Sequence, residues 1–133
     1  MGEIDTGHQH RSDLSRVALG RYGEDRAVEY LRACGMRVLS RNWRSASGEL
    51  DVVAADGDVL VVCEVKTRSG LGWGSPLDAI TRRKQLRLRR LALEWLDAHS
   101  FEPDRRPGVI RIDAIGVLVP RRGAPLVEHV RGI

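Results

Sequence analysis

Apolar positions recur along this chain with two different periods, and the switches between them mark out its elements. From about Ser15 to Cys34 the spacing is helical, with Val17, Gly20, Ala27, Val28, Leu31 and Cys34 along one side and Gly35 as the expected stop. Residues 37–44 predict a short strand around Val38 and Leu39, closed by the turn Ser45-Ala46-Ser47-Gly48. The apolar runs 49–55 and 59–67 flank Asp56-Gly57 and predict an antiparallel hairpin, because both turn residues accept positive φ. A glycine-rich loop, Ser69 to Gly74, precedes a helix predicted from Ser75 as N-cap and Pro76 in the first turn to about Ala98. After a Pro/Arg turn come a long strand, Val109 to Val119, and a short one, Leu126 to Val130. Residues 1–14 lack periodicity and read as a flexible N-terminal arm, leaving 15–133 as a single domain. Helix, three strands, helix, then one or two strands predicts an α/β fold: a central mixed sheet flanked by helices.

Composition narrows the class. A chain of 133 residues supports one hydrophobic core. No apolar stretch approaches the roughly 20 residues that cross a bilayer, and the N-terminus has neither signal-peptide nor transit-peptide character, so a cytoplasmic protein with no membrane partner is expected. Cys34 and Cys63 have no metal-type spacing and read as buried free thiols. Formal charge is +4, unevenly divided: residues 1–75 carry ten basic and eleven acidic side chains, residues 76–133 twelve and seven. That asymmetry suggests a polyanionic partner, although a chain with twenty arginines and two lysines also fits a genome-composition bias.

The candidate chemistry sits in the hairpin. Glu64 and Lys66 are two residues apart on one strand face, and Asp51 lies in the run across the turn. With Asp56-Gly57 as the loop, Asp51 is a diagonal neighbour of Glu64; with Gly57-Asp58 the two are direct partners. Either register brings the acids together, and two carboxylates this close repel unless a cation sits between them. An all-oxygen site suits Mg²⁺ or Mn²⁺, while the lack of nearby His or Cys argues against zinc. Lys66 adds a donor for water or for charge developing on a phosphate, which together indicate metal-assisted phosphodiester hydrolysis. Each helix also aims one charge at the sheet: Glu24 falls within the apolar arc of the first, and Lys84 lies between Ile80 and Leu88 on the stripe of the second. Lys84 would find its partner directly among the acids, and Glu24 through a metal or water.

Asp51 and Glu64-Val65-Lys66, following a helix with Glu24, resemble the PD-(D/E)XK nuclease superfamily. More narrowly, Gly20-Arg21-Tyr22-Gly23-Glu24, Arg41-Asn42-Trp43-Arg44, Gly48-Glu49-Leu50-Asp51 and Glu64-Val65-Lys66-Thr67-Arg68 are similar to the YraN-like family of small bacterial proteins. The likeness covers about residues 15–130. It implies a restriction-endonuclease-like three-layer fold of core order αβββαβ. It also implies metal ligation by Asp51, Glu64 and the Val65 carbonyl, with Lys66 positioning water, Glu24 in the outer shell, and Lys84 and Gln85 facing the site. The proline that names the superfamily is absent, since Leu50 precedes Asp51.

Arg68 and Trp73 follow the catalytic strand and read as contacts to a nucleic acid, as do Arg82, Arg83 and Arg87 on the second helix; a solvated helix face is the plainer reading of those arginines. Leu86 and Leu93 lie opposite the main stripe and hint at a homodimer surface. Gly70-x-Gly72-x-Gly74 has the wrong spacing for a dinucleotide fingerprint. The expected activity is endonucleolytic cleavage of DNA, branched or structured substrates included. A non-catalytic nucleic-acid-binding module of the same fold and an RNA-processing nuclease remain open at this point.

Overall fold

The computed structural model describes the main chain of residues 8–70, 78, 80–102 and 104–133, and side chains from Arg16 onward. The elements are α1 (His8–Ala33), β1 (Arg37–Ser45), β2 (Gly48–Asp56), β3 (Val59–Ser69), α2 (Arg82–Ala98), β4 (Val109–Val119) and β5 (Leu126–Val130). The five strands form one sheet in sequence order, antiparallel throughout except for the parallel β3–β4 pair. The two helices cover opposite faces, so this is an α/β fold with a mixed sheet.

Two cores follow from strand alternation. Val52, Ala54, Val61, Cys63, Ile115 and Val117 meet Ala27, Val28 and Leu31 of α1. Leu50, Val53, Leu60, Val62 and Ile112 meet Leu88, Leu91, Ala92, Trp95 and Leu96 of α2. At roughly 1.5–3 kcal/mol for each fully buried aliphatic or aromatic side chain, these layers hold the helices against the sheet. Trp95 is 2% exposed, and its indole N–H donates to Ser40 Oγ at 2.9 Å, so the ring buries its bulk without orphaning its donor.

Several expectations are corrected. α1 begins at His8, inside the segment expected to be an arm, because His8 to Leu14 contains no helix breaker even though it lacks an apolar stripe. Val17 is 56% exposed and Cys34 is exposed as well: the apolar stripe of α1 is buried at Ala27, Val28 and Leu31 but not at Val17 or Cys34. α2 begins at Arg82, with Thr81 as N-cap accepting from the Lys84 amide at 3.1 Å. The expected cap Ser75-Pro76 lies outside the described residues. The β2–β3 loop is Gly57-Asp58, not Asp56-Gly57, since Asp56 pairs with Val59. Gly57 has φ of 61° and Asp58 is not in the positive-φ region, which fits a II′ turn rather than the I′ turn that Asp-Gly favours.

Candidate functional site

The main-chain ladder between β2 and β3 ends at Val52↔Cys63, although both strands continue beyond it. One step further in the same register, Asp51 stands opposite Glu64. There the Val65 amide donates to Asp51 Oδ2 at 2.9 Å. A carboxylate has taken the place of a backbone acceptor, and the hairpin forks around it. Core membership shows the same break: Leu50 joins the α2 side, yet Val52 and Ala54 join the α1 side.

A groove of about 340 Å³ opens at the fork, lined by Arg16, Leu19, Gly20 and Glu24 of α1 and by Asp51, Val65, Lys66 and Thr67 of the strands. α1 closes one side because Gly23 lets its backbone approach β3: a Cβ there would lie 1.9 Å from Thr67 Oγ1. Burial and the neighbouring Glu64 charge push Asp51 up to about 6, against the opposing pull of the Val65 amide, with Glu24 and Glu49 adding smaller pushes. Among the described residues Asp51 has no cationic side chain paired with it.

Each expected site residue has a definite place. Asp51, Glu24, Lys66 and Val65 line one groove. Glu64 stands close enough to act on Asp51 but pairs with Lys84, whose Nζ lies 2.6 Å from Oε1; the Glu64 side chain is 16% exposed and that of Lys84 28%. The direct Lys84 partner read from the helix wheel is therefore present. Lys66 is exposed and forms no ion pair among the described residues; it stands on the groove wall rather than locked to Glu64, because Lys84 has taken that carboxylate. Glu24 does point inward, at 16% side-chain exposure, but its partners are protein groups: Asn42 Nδ2 donates to Oε1 at 2.7 Å and Arg41 approaches at 3.4 Å. Asn42 has φ of 51°, a conformation asparagine tolerates better than most residues, which explains an Asn between Arg41 and Trp43. Arg41 also binds Asp25 at 2.6 Å, and that bond raises its pKa.

Arg68, Arg82, Arg83 and Arg87 are exposed, Gln85 is half-buried, and Trp73 lies outside the described residues. Arg82, Arg83, Leu86, Arg87 and Arg90 surround a shallow hollow of about 500 Å³ on the outer side of α2, and Leu86 and Leu93 are 60% and 53% exposed. Sequence reasoning passed over Arg16 and Thr67 in the groove, and Arg41 and Asn42 as holders of Glu24. An Arg one helical turn before Gly20, on the side that carries Glu24, was the available signal for Arg16.

A second charged cluster was also passed over. Asp113 of β4 is fully buried and accepts from Arg111 through both oxygens at 2.9 and 3.0 Å, and from the Gly132 amide at 3.0 Å; His129 Nε2 lies 2.7 Å away. Arg111 extends to Asp56 at 3.0 Å, and Tyr30 Oη lies 3.0 Å from His129 Nδ1. Burial pushes Asp113 upward, but Arg111, the Gly132 amide and His129 outweigh it and hold the carboxyl below its ordinary value. The alternation Arg111-Ile112-Asp113, which puts opposite charges on one strand face, was its sequence signal.

The site's donor set is small. No group of three or more His, Cys, Asp or Glu side chains poised for a metal occurs among the described residues. The fork brings together two carboxylates, Asp51 and Glu64, the latter paired with Lys84. Mg²⁺ is commonly bound through one or two carboxylates with water completing its shell. The raised Asp51 pKa reflects burial first and then the neighbouring Glu64 charge, with no cation beside it among the described residues to offset them.

The family model described as "Uncharacterised protein family UPF0102" matches residues 23–117. A UPF0102 protein of Streptomyces griseus is 57% identical over 119 residues, covering 90% of this chain and 98% of its own. One from Streptomyces coelicolor is 56% identical over 120 residues, covering 90% of each. One from Acidothermus cellulolyticus is 48% identical over 124 residues, covering 89% of this chain and 94% of its own.

Proposed function

The chain belongs to the uncharacterised protein family UPF0102, and we propose that it is a divalent-metal-dependent nuclease that hydrolyses phosphodiester bonds in DNA. Membership alone carries no chemistry. The observation that supports the reading is the meeting of Asp51 and Glu64 at the β2–β3 fork, beside a Lys66 that is unpaired among the described residues, with Asp51 pushed up to about 6. A restriction-endonuclease-like architecture is part of the proposal; it draws on the order of one helix, three antiparallel strands, a second helix and a parallel strand.

Asp51, Glu64 and the Val65 carbonyl would hold Mg²⁺ or Mn²⁺, which when bound supplies Lewis acidity and an activated water. The chain's own groups do the rest. Lys84 holds the Glu64 carboxylate in place through its 2.6 Å ion pair. The exposed Lys66 ammonium reaches into the groove, where it orients water and offsets negative charge on the phosphate. Glu24, fixed by Asn42 and Arg41, presents a second carboxylate across from Asp51 for a hydrogen-bonded water. Arg68, Arg82, Arg83 and Arg87 supply phosphate contacts, and binding should therefore weaken steeply with salt. Incubating purified protein with Mg²⁺ or Mn²⁺ and a panel of duplex, flap, junction and RNA substrates tests the reading. No cleavage of any of them, or undiminished cleavage by Lys66→Ala, would overturn it.

One observation favours a second reading. Lys84 already neutralises one of the two carboxylates, as in a nucleic-acid-binding module that needs no metal. That reading predicts DNA affinity indifferent to chelators and to Asp51→Ala, and competition between DNA and RNA separates an RNA-processing role.

A further inference from the structure

Gly20 and Gly23 sit three residues apart on α1, yet they serve different ends. A Cβ on Gly23 would strike Thr67, so that glycine is needed for packing. A Cβ on Gly20 would meet nothing within 4 Å, and Gly20 is itself part of the groove wall: the missing side chain leaves open space where a ligand passes. One helical turn earlier, Arg16 lines the same wall. Arg16 is exposed and forms no ion pair among the described residues, unlike Arg26 and Arg41, which hold Glu29 and Asp25. Among the described residues the groove thus has an unpaired cation on each of its two walls, Arg16 on α1 and Lys66 on β3, and Asp51 and Glu24 line it with them.

We propose that Arg16, with the gap at Gly20 beside it, is a binding site for a second phosphate group of the nucleic-acid strand, next to the phosphodiester held at Lys66 and Asp51. The inference rests on the nuclease reading of the groove and adds the α1 wall to it. A guanidinium is suited to the task, since its planar fork meets two phosphate oxygens at once. Gly20 lets the sugar–phosphate backbone lie against the helix at a point where any larger side chain would project into its path. The acidic groups of the groove repel a strand entering without a cation, so a guanidinium on the far wall gives the backbone an anchor independent of the metal.

The test is fluorescence anisotropy of labelled single-stranded and junction DNA with the full chain, using Ca²⁺ in place of Mg²⁺, across a range of salt. Arg16→Ala should weaken binding about tenfold and lower the slope of log affinity against log salt by about one. Arg16→Lys should restore the slope. Gly20→Val should weaken binding by a similar factor while leaving the salt slope and the melting temperature as in the wild type, since the side chain fills open space. Unchanged affinity and slope in Arg16→Ala overturn the inference, and if Asp51→Asn abolishes cleavage in the same preparation the nuclease reading survives that failure. Arg16-dependent binding by a wild-type protein that cuts nothing leaves the phosphate site standing and removes the nuclease reading. Wild-type protein that binds neither DNA removes both.

Discussion

Asp51 and Asp113 stand one register row and two strands apart, on either side of β3, and their surroundings have opposite character. Asp113 is fully buried, and both of its oxygens take donors from a guanidinium, an amide and an imidazole, so its charge is over-compensated. Asp51 is only half-buried and receives one amide, while Glu64, Glu24 and Glu49 press on it. The Cys63 thiol lies between the two, pushed up by burial first and then by Asp113 and, less strongly, Asp51. A charge that the fold completes by itself holds the fold together; a charge left incomplete at an opening is available to something that arrives from outside.

The largest effect that would break this contrast is on stability. Asp113→Ala should cost about 3–5 kcal/mol, because it removes a fully buried acceptor shared by Arg111, His129 and the Gly132 amide and leaves Arg111 only Asp56, whereas Asp51→Asn should leave stability equal or higher. Urea unfolding of both variants decides the point, and equal losses would erase the distinction. Next in size is Lys66→Ala, expected to lower kcat on a cleavable substrate by about 10²–10³, or 2.7–4 kcal/mol, with melting temperature unchanged because Lys66 is exposed.

Acidity separates the two carboxyls by sign. The folded pKa of Asp113 is below its unfolded value, so its contribution is whole above about pH 4 and is lost as pH falls through the folded value. Asp51 is raised from 3.8 to about 6, so the folded state gains from its protonation at low pH and loses that gain as pH climbs through 6. Stability of wild type minus Asp51→Asn should accordingly be near zero at pH 4 and negative above 6. Millimolar Mg²⁺ should draw the Asp51 pKa, followed by NMR, back toward the ordinary carboxylate range; a pKa unmoved by the ion would count against metal binding at the fork. The smallest effect is Asn42→Ala, about 1–2 kcal/mol of stability from the lost bond to Glu24 together with the strain of alanine at a φ of 51°, with a larger fall in cleavage than in affinity.

Periodicity made the strands legible to within about two residues, since a pleated strand between two helices leaves an unambiguous apolar signature in runs such as Leu60 to Val65. The convergence of Asp51 and Glu64 could be read too, because every plausible two-residue turn kept them adjacent. The turn itself could not: Asp56-Gly57 and Gly57-Asp58 share the glycine and differ by one residue of register, and both are acceptable two-residue hairpin loops. Nor could the fate of Lys66, because a sequence shows that Glu64 needs a cation without showing which lysine reaches it first. Arg111 sits two residues from Asp113 on the same strand and could have been read, but His129 and Gly132 join them only when β5 folds back beside β4.

β3 runs parallel to β4 along its full length, and residues 70–108 separate them in the chain. On a ribosome, α1 and the three-stranded meander leave the exit tunnel with every acidic group of the groove, well before the strand that covers the free edge of β3. During that interval the amides and carbonyls of a strongly apolar strand stay open to any extended neighbour. The newborn chain, rather than the finished protein, is therefore where aggregation threatens most, and slowing translation beyond residue 70 would lengthen the exposure.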